Sequence, residues 1–265
     1  MDVMCAELPL EGTRVHADVV IRAGGTTVNA AIAAVAAGAD ATVVGRVGSD
    51  PSAELVSAAL AERNIAELLA HDPELPTGVA VALGSTVVAH RGANAQLSPE
   101  DIPERLGAEA LLVSGFALFQ TGSRDASRTA LDRFNGRWAA VDLASPKLAD
   151  LELLTGAHVV LATAEEARAV TGSEPEEAAR ALASRFELAV VKLGEEGAIA
   201  ARGDRMERAA AVPVVRRSAF GAGDAFAGAL LVALTQDDSL ERALELACEA
   251  GARAAATQRE IGILP

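Results

Sequence analysis

The sequence is poor in cysteine, in aromatic residues and in positive charge. Only two cysteines occur in 265 residues, Cys5 and Cys248, and they lie far apart. The sequence therefore predicts neither a disulfide framework nor a cysteine-rich metal site. Aromatic residues make up 3% of the chain and tyrosine is absent, whereas hydrophobic residues make up 51%. We expect a core built mainly from alanine, valine and leucine.

Acidic residues outnumber basic ones by 37 to 23, which gives a formal net charge of −14. A surface of this sign repels phosphate backbones, so nucleic acid is not expected as a partner. The sequence shows no basic leader followed by an apolar run. Its apolar runs are also shorter than the ~20 residues that a membrane-spanning helix needs. We therefore expect no membrane partner and a cytoplasmic location.

Short apolar runs alternate with helical patterns along the chain. The predicted strands are Ala41–Val44, Val79–Leu83, Ala110–Ser114, Trp138–Asp142, His158–Leu161, Ala189–Lys192 and Ala198–Ala201. The predicted helices are Thr27–Ala37, Ala53–Glu62, Ser123–Phe134, Ala164–Val170, Glu176–Arg185, Ala222–Leu234 and Leu240–Ala256. This alternation predicts an α/β fold with a doubly wound, mostly parallel central sheet flanked by helices. The length suits a single domain over residues 1–265. Two segments, near 1–22 and 76–97, interrupt this alternation of strands and helices and predict a small β-flap.

The strongest local signal is a small-residue turn that opens directly into an apolar helix. The turn reads Gly221-Ala222-Gly223-Asp224. The glycines let backbone N–H groups approach a ligand closely, and the first turn of the helix carries unpaired N–H donors and the positive end of the helix dipole. Together these features predict an anion site. Asp224 lies within it and could accept a proton from a hydroxyl that attacks the anion. An ordinary helix cap accounts for Asp224 but not for the two glycines before it.

A second small-residue turn contains Gly24, Gly25 and Asn29 and also opens an alanine-rich helix. Asn29 offers both a donor and an acceptor, which suits a polyhydroxylated substrate. Taken alone, these residues equally suit a tight turn with a cap. The third glycine of a dinucleotide-binding fingerprint is missing, and the chain has no Gly-Lys dipeptide of the kind that a Walker A loop contains.

Taken together, these motifs resemble the ribokinase-like (PfkB) carbohydrate kinase family over nearly the whole chain. Gly24-Gly25…Asn29 is similar to the N-terminal signature of the family, and Gly221-Ala222-Gly223-Asp224 to its C-terminal signature. Between them, Thr77–Ala80 resembles the flap strand, Glu165–Gly172 the region of the metal-associated acidic motif, and Lys192–Ala198 the nucleotide-contacting turn.

The resemblance implies a kinase that uses ATP and Mg²⁺ and phosphorylates a sugar or sugar-like molecule, with a nucleoside as the alternative acceptor. It implies catalytic roles for Asp224 as the base and for Gly221, Ala222 and Gly223 as the anion hole. It implies substrate contacts from Gly24, Gly25 and Asn29. It implies ATP contacts from Lys192, Gly194 and Gly197, and a water-mediated Mg²⁺ contact from Glu166. A homodimer formed through the flap is also compatible with the resemblance.

Four positions depart from the family pattern. Ala6 stands where an aspartate usually grips sugar hydroxyls, and Thr163 replaces the asparagine of the Asn-x-x-Glu motif. Ala144 replaces the asparagine of an Asp-x-Asn motif, and Ser218 replaces an aspartate that helps to bind a monovalent cation in many members. The sequence therefore gives no basis for expecting K⁺ activation. A nucleotide- or sugar-binding relative that has lost catalysis is the alternative outside the enzyme class.

Overall fold

The computed structural model describes residues 1–5, 16, 19–83, 86–215 and 220–256. The strands are β1 Asp2–Cys5, β2 Val19–Arg22, β3 Thr42–Gly48, β4 Ala66–Asp72, β5 Val79–Leu83, β6 Thr86–His90, β7 Ala110–Ser114, β8 Trp138–Asp142, β9 Val159–Thr163, β10 Leu188–Lys192, β11 Ala198–Arg202 and β12 Arg205–Ala209. The helices are α1 Thr26–Ala36, α2 Pro51–Ala61, α3 Gly115–Leu118, α4 Arg124–Arg133, α5 Ala164–Thr171, α6 Pro175–Ala183, α7 Ala222–Thr235 and α8 Leu240–Ala256. Short 3₁₀ turns cover Gly92–Gln96, Pro99–Asp101, Leu151–Leu154 and Gly194–Glu196.

The central sheet has six strands in the order β12-β11-β10-β9-β8-β7. Strands β7 to β10 run parallel, whereas β11 and β12 return antiparallel at one edge. Strands β8, β9 and β10 are almost wholly buried, as expected of parallel strands that are covered on both faces. The predicted mostly parallel α/β sheet is thus confirmed.

Two apolar cores cover the faces of this sheet. One core includes Leu131, Leu182 and Phe186 from the region of α4 and α6. The other includes Phe226 from α7 and Leu244 from α8. Because alanine, valine and leucine supply most of both cores, the helices can lie close to the sheet.

The site is positioned by the carboxyl ends of three neighbouring parallel strands. Asp142, Thr163 and Lys192 are the last residues of β8, β9 and β10. In open α/β sheets, ligands bind at this edge, since the loops that leave it diverge and form a crevice. None of the described helices combines the length and the apolarity needed to cross a membrane.

The predicted flap is a four-stranded sheet in the order β2-β1-β5-β6. Strand β1 pairs antiparallel with β2 and parallel with β5, and β5 pairs antiparallel with β6. The pair of strands predicted around Gly84 and Ser85 is therefore confirmed as β5 and β6, although these two residues lie outside the described part of the chain.

The strands that the sequence did not predict are the polar ones. β4 pairs in parallel with β3, yet its residues are mostly exposed or half-buried and form no continuous apolar run. β12, with the sequence Arg-Met-Glu-Arg-Ala, is the edge strand of the central sheet and pairs with β11 alone among the described strands. Apolar periodicity is a weak guide to such strands because little of their surface is buried.

Close packing of α1 against α7 brings the two small-residue turns together. A Cβ added to Gly228 would lie 2.2 Å from the carbonyl oxygen of Ala30. Only glycine permits this approach, and the approach sets the distance between the first turns of the two helices. The fold thus brings two segments that are almost 200 residues apart in sequence to a common point.

Candidate active site

Asp224 lies in the first turn of α7, next to Asn29 in the first turn of α1. The amide Nδ2 of Asn29 donates a hydrogen bond of 2.9 Å to Oδ2 of Asp224. One residue from each predicted turn is therefore in direct contact. The contact fixes the rotamer of the carboxylate, which a catalytic base requires.

The environment of Asp224 raises its pKa from 3.8 to about 6. Burial is the largest cause, and the nearby carboxylates of Asp142 and Asp2 add to it. The hydrogen bond from Asn29 and the ammonium of Lys192 act in the opposite direction. A carboxylate with a pKa near 6 is a stronger proton acceptor than an ordinary aspartate and is still mostly ionised at neutral pH.

The backbone amides at the starts of α7 and α1 lie near the carboxylate of Asp224. Gly221 is the N-cap of α7 with φ of 83°, a conformation that favours glycine, and as a glycine it has no side chain that could cap this helix. The first N–H groups of a helix have no partner within the helix and carry partial positive charge. The N-cap of α1, Gly25, is likewise a glycine without a side chain to cap its helix. The positive ends of two helices therefore lie beside Asp224.

A buried ion pair joins the ends of β8 and β10. Nζ of Lys192 lies 2.6 Å from Oδ2 of Asp142. Burial acts to lower the pKa of Lys192, but the carboxylates of Asp142, Glu166 and Asp224 outweigh it, so the pKa is raised and the ammonium stays charged. A Cβ on Gly223 would lie 3.4 Å from this Nζ. The charge of Lys192 thus lies against the start of α7.

Glu166 is buried and forms a capping box at the start of α5. Its Oε2 accepts a 2.7 Å hydrogen bond from the backbone N–H of Thr163, and Oγ1 of Thr163 accepts one from the N–H of Glu166. Burial raises the pKa of Glu166, and Asp142 adds to that rise. No group of three or more potential metal ligands occurs among the described residues. Mg²⁺ is commonly bound by one or two carboxylates together with phosphates and waters, so the single carboxylate of Glu166 is compatible with a contact made through water.

Asp2 is a site residue that the sequence reasoning missed. Its side chain is 1% exposed, and it accepts a hydrogen bond from the backbone N–H of Gly25. A Cβ on Gly24 would lie 1.8 Å from Oδ2 of Asp2, so the lack of a side chain at Gly24 is what admits this carboxylate. Asp2 lies at the beginning of β1 with no motif around it. Only the pairing of strands reveals its place.

Arg22 is a second residue that the sequence reasoning missed. It is the last residue of β2 and pairs with Asp2 across the flap, with 3.7 Å between Nη2 and Oδ2. The same Nη2 lies 3.5 Å from the position of a Cβ on Gly221. Arg22 thus lies between the flap and the start of α7.

A sequence profile for the pfkB family carbohydrate kinases matches residues 4–263. The chain belongs to this family. Members of this family are phosphotransferases that act on hydroxyl groups. The kinases of this family use ATP as the phosphoryl donor.

The relatives agree on the class of reaction. The chain is 29% identical to a fructokinase of Klebsiella pneumoniae over 80% of its own length and 76% of that protein. It is 29% identical to a 5-dehydro-2-deoxygluconokinase of Shouchella clausii, covering 92% of this chain and 83% of that protein. Among solved structures, a fructokinase from Vibrio cholerae O395, bound to fructose, ADP and calcium, superimposes with a TM-score of 0.81 at 25% identity, covering 97% of this chain and 91% of that one. The predicted ribokinase-like fold is confirmed.

The turn predicted to contact nucleotide follows directly on Lys192 in this kinase. Gly194 and Gly197 have φ of 64° and 97°. A Cβ on Gly197 would lie 2.0 Å from the carbonyl oxygen of Ala209, so the lack of a side chain there has a structural cause. A Cβ on Gly194 would meet nothing within 4 Å. The open side of the turn is therefore at Gly194.

Two of the four departures from the family pattern lie in the described part of the chain. Thr163 still caps α5 through its hydroxyl, so the substitution of asparagine preserves the helix start. Ala144 has φ of 62°, a left-handed conformation that costs alanine more than it costs asparagine. Ala6 and Ser218 lie outside the described residues.

Proposed function

We propose that this kinase transfers the γ-phosphoryl group of ATP to a hydroxyl of a sugar or sugar-like molecule, with Asp224 as the base. One observation carries the proposal. A carboxylate whose pKa is about 6 lies in the first turn of a helix whose N-cap is a glycine, and Asn29 orients this carboxylate. This arrangement places a proton acceptor beside an anion site.

The proposed reaction needs one proton transfer and one displacement. The acceptor hydroxyl gives its proton to Asp224 as its oxygen attacks the γ-phosphorus. The bond between that phosphorus and the β,γ-bridging oxygen breaks, and ADP leaves with the electron pair. Because phosphoryl transfer involves little other covalent change, most of the catalysis comes from positioning and charge stabilisation.

We assign stabilisation of the transferred group to the amides of Gly221, Ala222 and Gly223 and to Lys192. The supporting observations are the glycine N-cap of α7 and the ammonium of Lys192 beside Gly223. Loss of one such donor in other enzymes lowers kcat by about 10²–10³. Mg²⁺ bound with ATP would neutralise charge on the triphosphate, and Glu166 is proposed to orient one of its waters.

We assign the acceptor to the space between the flap and α1. Gly24, Gly25 and Asn29 line it, and Asp2 adds a buried carboxylate with an unpaired Oδ2 that can accept from hydroxyl groups. A sugar is favoured over a nucleoside, because a fructokinase and a 5-dehydro-2-deoxygluconokinase are similar over most of the chain. ATP would enter from the side of Gly194, where the turn is open, and Gly197 shapes that turn. A reaction that consumes ATP fits the expected cytoplasmic location.

The first test is ADP release from MgATP with a panel of pentoses, ketohexoses, deoxy-keto sugar acids and nucleosides, each with and without K⁺. We expect turnover above the acceptor-free rate with members of one sugar class. Turnover with nucleosides alone would replace the sugar by the alternative acceptor. Tight ATP binding without turnover on any acceptor would support the alternative hypothesis of a nucleotide- or sugar-binding relative that has lost catalysis.

We further propose that two copies associate through the outer face of the flap. The strand register places Ile21, Val3, Val81 and Val88 in one row across all four strands. Their side chains point away from Asp2, because neighbouring residues on a strand face opposite sides. Ile21 is 44% and Val88 is 62% exposed. Two copies of a chain with charge −14 can meet along an apolar row without bringing like charges together, and exposed apolar patches often mark interaction sites.

Light scattering of paired variants tests the proposed association. Val88→Lys places a charge on the outer face, and we expect it to yield monomers. Val87→Lys is the matched control, since Val87 is the next residue, similarly exposed at 48%, and on the opposite face. Equal masses for the unaltered protein and Val88→Lys would reject the flap as the interface.

A further inference from the structure

Arg22 has a guanidinium edge whose hydrogen bonds are not made. Its Nε and Nη2 atoms are both buried, and neither has a hydrogen-bond partner in the described structure. The side chain as a whole is 22% exposed. Buried donors of a charged group are almost always satisfied, so two unpaired donors on one side chain indicate a ligand that the bound state supplies.

The two unpaired atoms lie on the same edge of the guanidinium. Nε–H and Nη2–H point in parallel and form a fork that matches two oxygens of one carboxylate or phosphoryl group. The nearest carboxylate is that of Asp2, but its Oδ2 is 3.7 Å from Nη2, beyond hydrogen-bond distance. Oδ2 of Asp2 is itself unpaired. Asp2 therefore offsets the charge of Arg22 without taking up its hydrogen bonds.

The position of the fork points to the group in transfer. Nη2 is 3.5 Å from the Cβ position of Gly221, at the start of α7, and Nδ2 of Asn29 is 3.1 Å from the same point. A second cation of the described site, Lys192, is held by Asp142, with 2.6 Å between its Nζ and Oδ2 of Asp142. Within residues 19–83, 86–215 and 220–256, Arg22 is thus a cation beside the proposed anion hole whose donors are free to bind an oxyanion.

We propose that Arg22 is a further catalytic residue, whose Nε/Nη2 fork binds the phosphoryl group as it passes from ATP to the acceptor. The inference rests on the proposed function of the site. Arg22 gives and takes no proton; it stabilises negative charge on the phosphoryl oxygens opposite the backbone amides. Arg22 is the last residue of strand β2. The flap therefore positions its positive charge beside the phosphoryl group.

The test compares nucleotides that differ by one phosphoryl group. Calorimetric titrations of the full chain with MgADP and with Mg-bound AMP-PNP measure how much the γ group adds to affinity. In Arg22→Gln, we expect affinity for AMP-PNP to fall about 10- to 100-fold, as for the loss of hydrogen bonds to a charged group, while affinity for ADP changes little. Arg180→Gln, on the exposed side of α6, is the control for loss of one positive charge.

Two more variants control for the effect of misfolding on nucleotide affinity. Arg22→Gln leaves Asp2 buried without its partner, which can destabilise the fold. Arg22→Lys keeps the charge but not the fork, and Asp2→Asn with Arg22→Gln removes the pair together. We expect both to melt near the temperature of the unaltered protein and both to lose the preference for AMP-PNP, the lysine variant in part.

The outcomes separate this inference from the proposed function. An unchanged ratio of AMP-PNP to ADP affinity in folded variants would overturn it, even with the kinase reaction intact. A second outcome is an unchanged ratio of nucleotide affinities together with a higher KM for the acceptor at constant kcat. The fork would then bind a carboxylate of the acceptor, and the proposed contact with the phosphoryl group would be overturned. Failure of the unaltered chain to bind either nucleotide would overturn the proposed function and this inference together.

Discussion

Nδ2 of Asn29 lies 2.9 Å from Oδ2 of Asp224, a contact between the first turns of two helices that begin almost 200 residues apart. The hydrogen bond stabilises the ionised carboxylate and so lowers the pKa of Asp224 against the effect of burial. The contact therefore sets both the orientation of the proposed base and the pH at which it works.

Asn29→Ala is expected to move the acid limb of the pH–rate profile to higher pH. Without the donor, burial and the neighbouring carboxylates raise the pKa of Asp224 further above 6. The measurement is kcat/KM against pH with the best acceptor. Asn94→Ala serves as a control, because Asn94 lies in the 3₁₀ turn Gly92–Gln96 and its side chain accepts a hydrogen bond from the backbone N–H of Arg46. An acid limb that stays in place would show that Asn29 does not tune the base.

The raised pKa of Asp224 also predicts a stability change with pH. The folded state holds a proton on this carboxyl up to about pH 6, whereas the unfolded chain loses it near 3.8. The folded state thus binds more protons between these values, and its stability falls as pH rises through that window, by at most about 3 kcal/mol.

Asp224→Asn should therefore melt higher than the unaltered protein at pH 8, by several degrees, and the difference should shrink toward pH 5. Asparagine removes the buried charge and can still accept from Asn29. Thermal melts over a pH series measure the effect, with Asp125→Asn on α4 as a control at a site where no such burial applies. A lower melting temperature for Asp224→Asn at pH 8 would contradict the assignment of a destabilising buried charge.

Gly228→Ala is expected to push α1 and α7 apart. The new methyl group would lie 2.2 Å from the carbonyl oxygen of Ala30, and overpacking of this kind costs about 1–3 kcal/mol. We expect lower stability together with a fall in kcat, since Asn29 and Asp224 separate with the helices. Gly107→Ala, where a Cβ meets nothing within 4 Å, should change neither quantity. Full activity in Gly228→Ala would mean that the helix spacing does not position the base.

Ala144→Gly and Ala144→Asn are expected to stabilise the protein. Ala144 has φ of 62° at the centre of a tight turn in which the N–H of Ser145 donates to the carbonyl oxygen of Leu143. A left-handed alanine costs about 1–2 kcal/mol, which glycine largely avoids. Chemical denaturation measures the gain. As a control, Ala210→Gly replaces a loop residue without a positive φ and should destabilise the protein. A loss of stability in Ala144→Gly would contradict the presence of backbone strain at Ala144.

The sequence predicted the parts of the candidate site that lie in small-residue turns. Gly221, Gly223 and Asp224 form a pattern with a local physical meaning, and so do Gly25 and Asn29. The central strands β8, β9 and β10 were also predictable, because burial on both faces produces continuous apolar runs.

Asp2 and Arg22 could not be predicted because no local pattern surrounds them. Their roles come from the antiparallel register of β1 and β2 and from the approach of Asp2 to Gly24. Strand pairing is a long-range property that apolar periodicity does not report. The polar strand β4 was missed for a related reason: its pairing with β3 comes from backbone hydrogen bonds and leaves most of its side chains exposed or half-buried.

The central claim is that Asp224 takes the proton from the acceptor hydroxyl, and the most direct test is ADP release by Asp224→Asn with MgATP and the best acceptor of the panel. The account predicts a fall in kcat of at least about 10²-fold, the scale on which general bases contribute, in a protein that folds and binds nucleotide as before. Turnover equal to that of the unaltered kinase would contradict the assignment of Asp224 as the base.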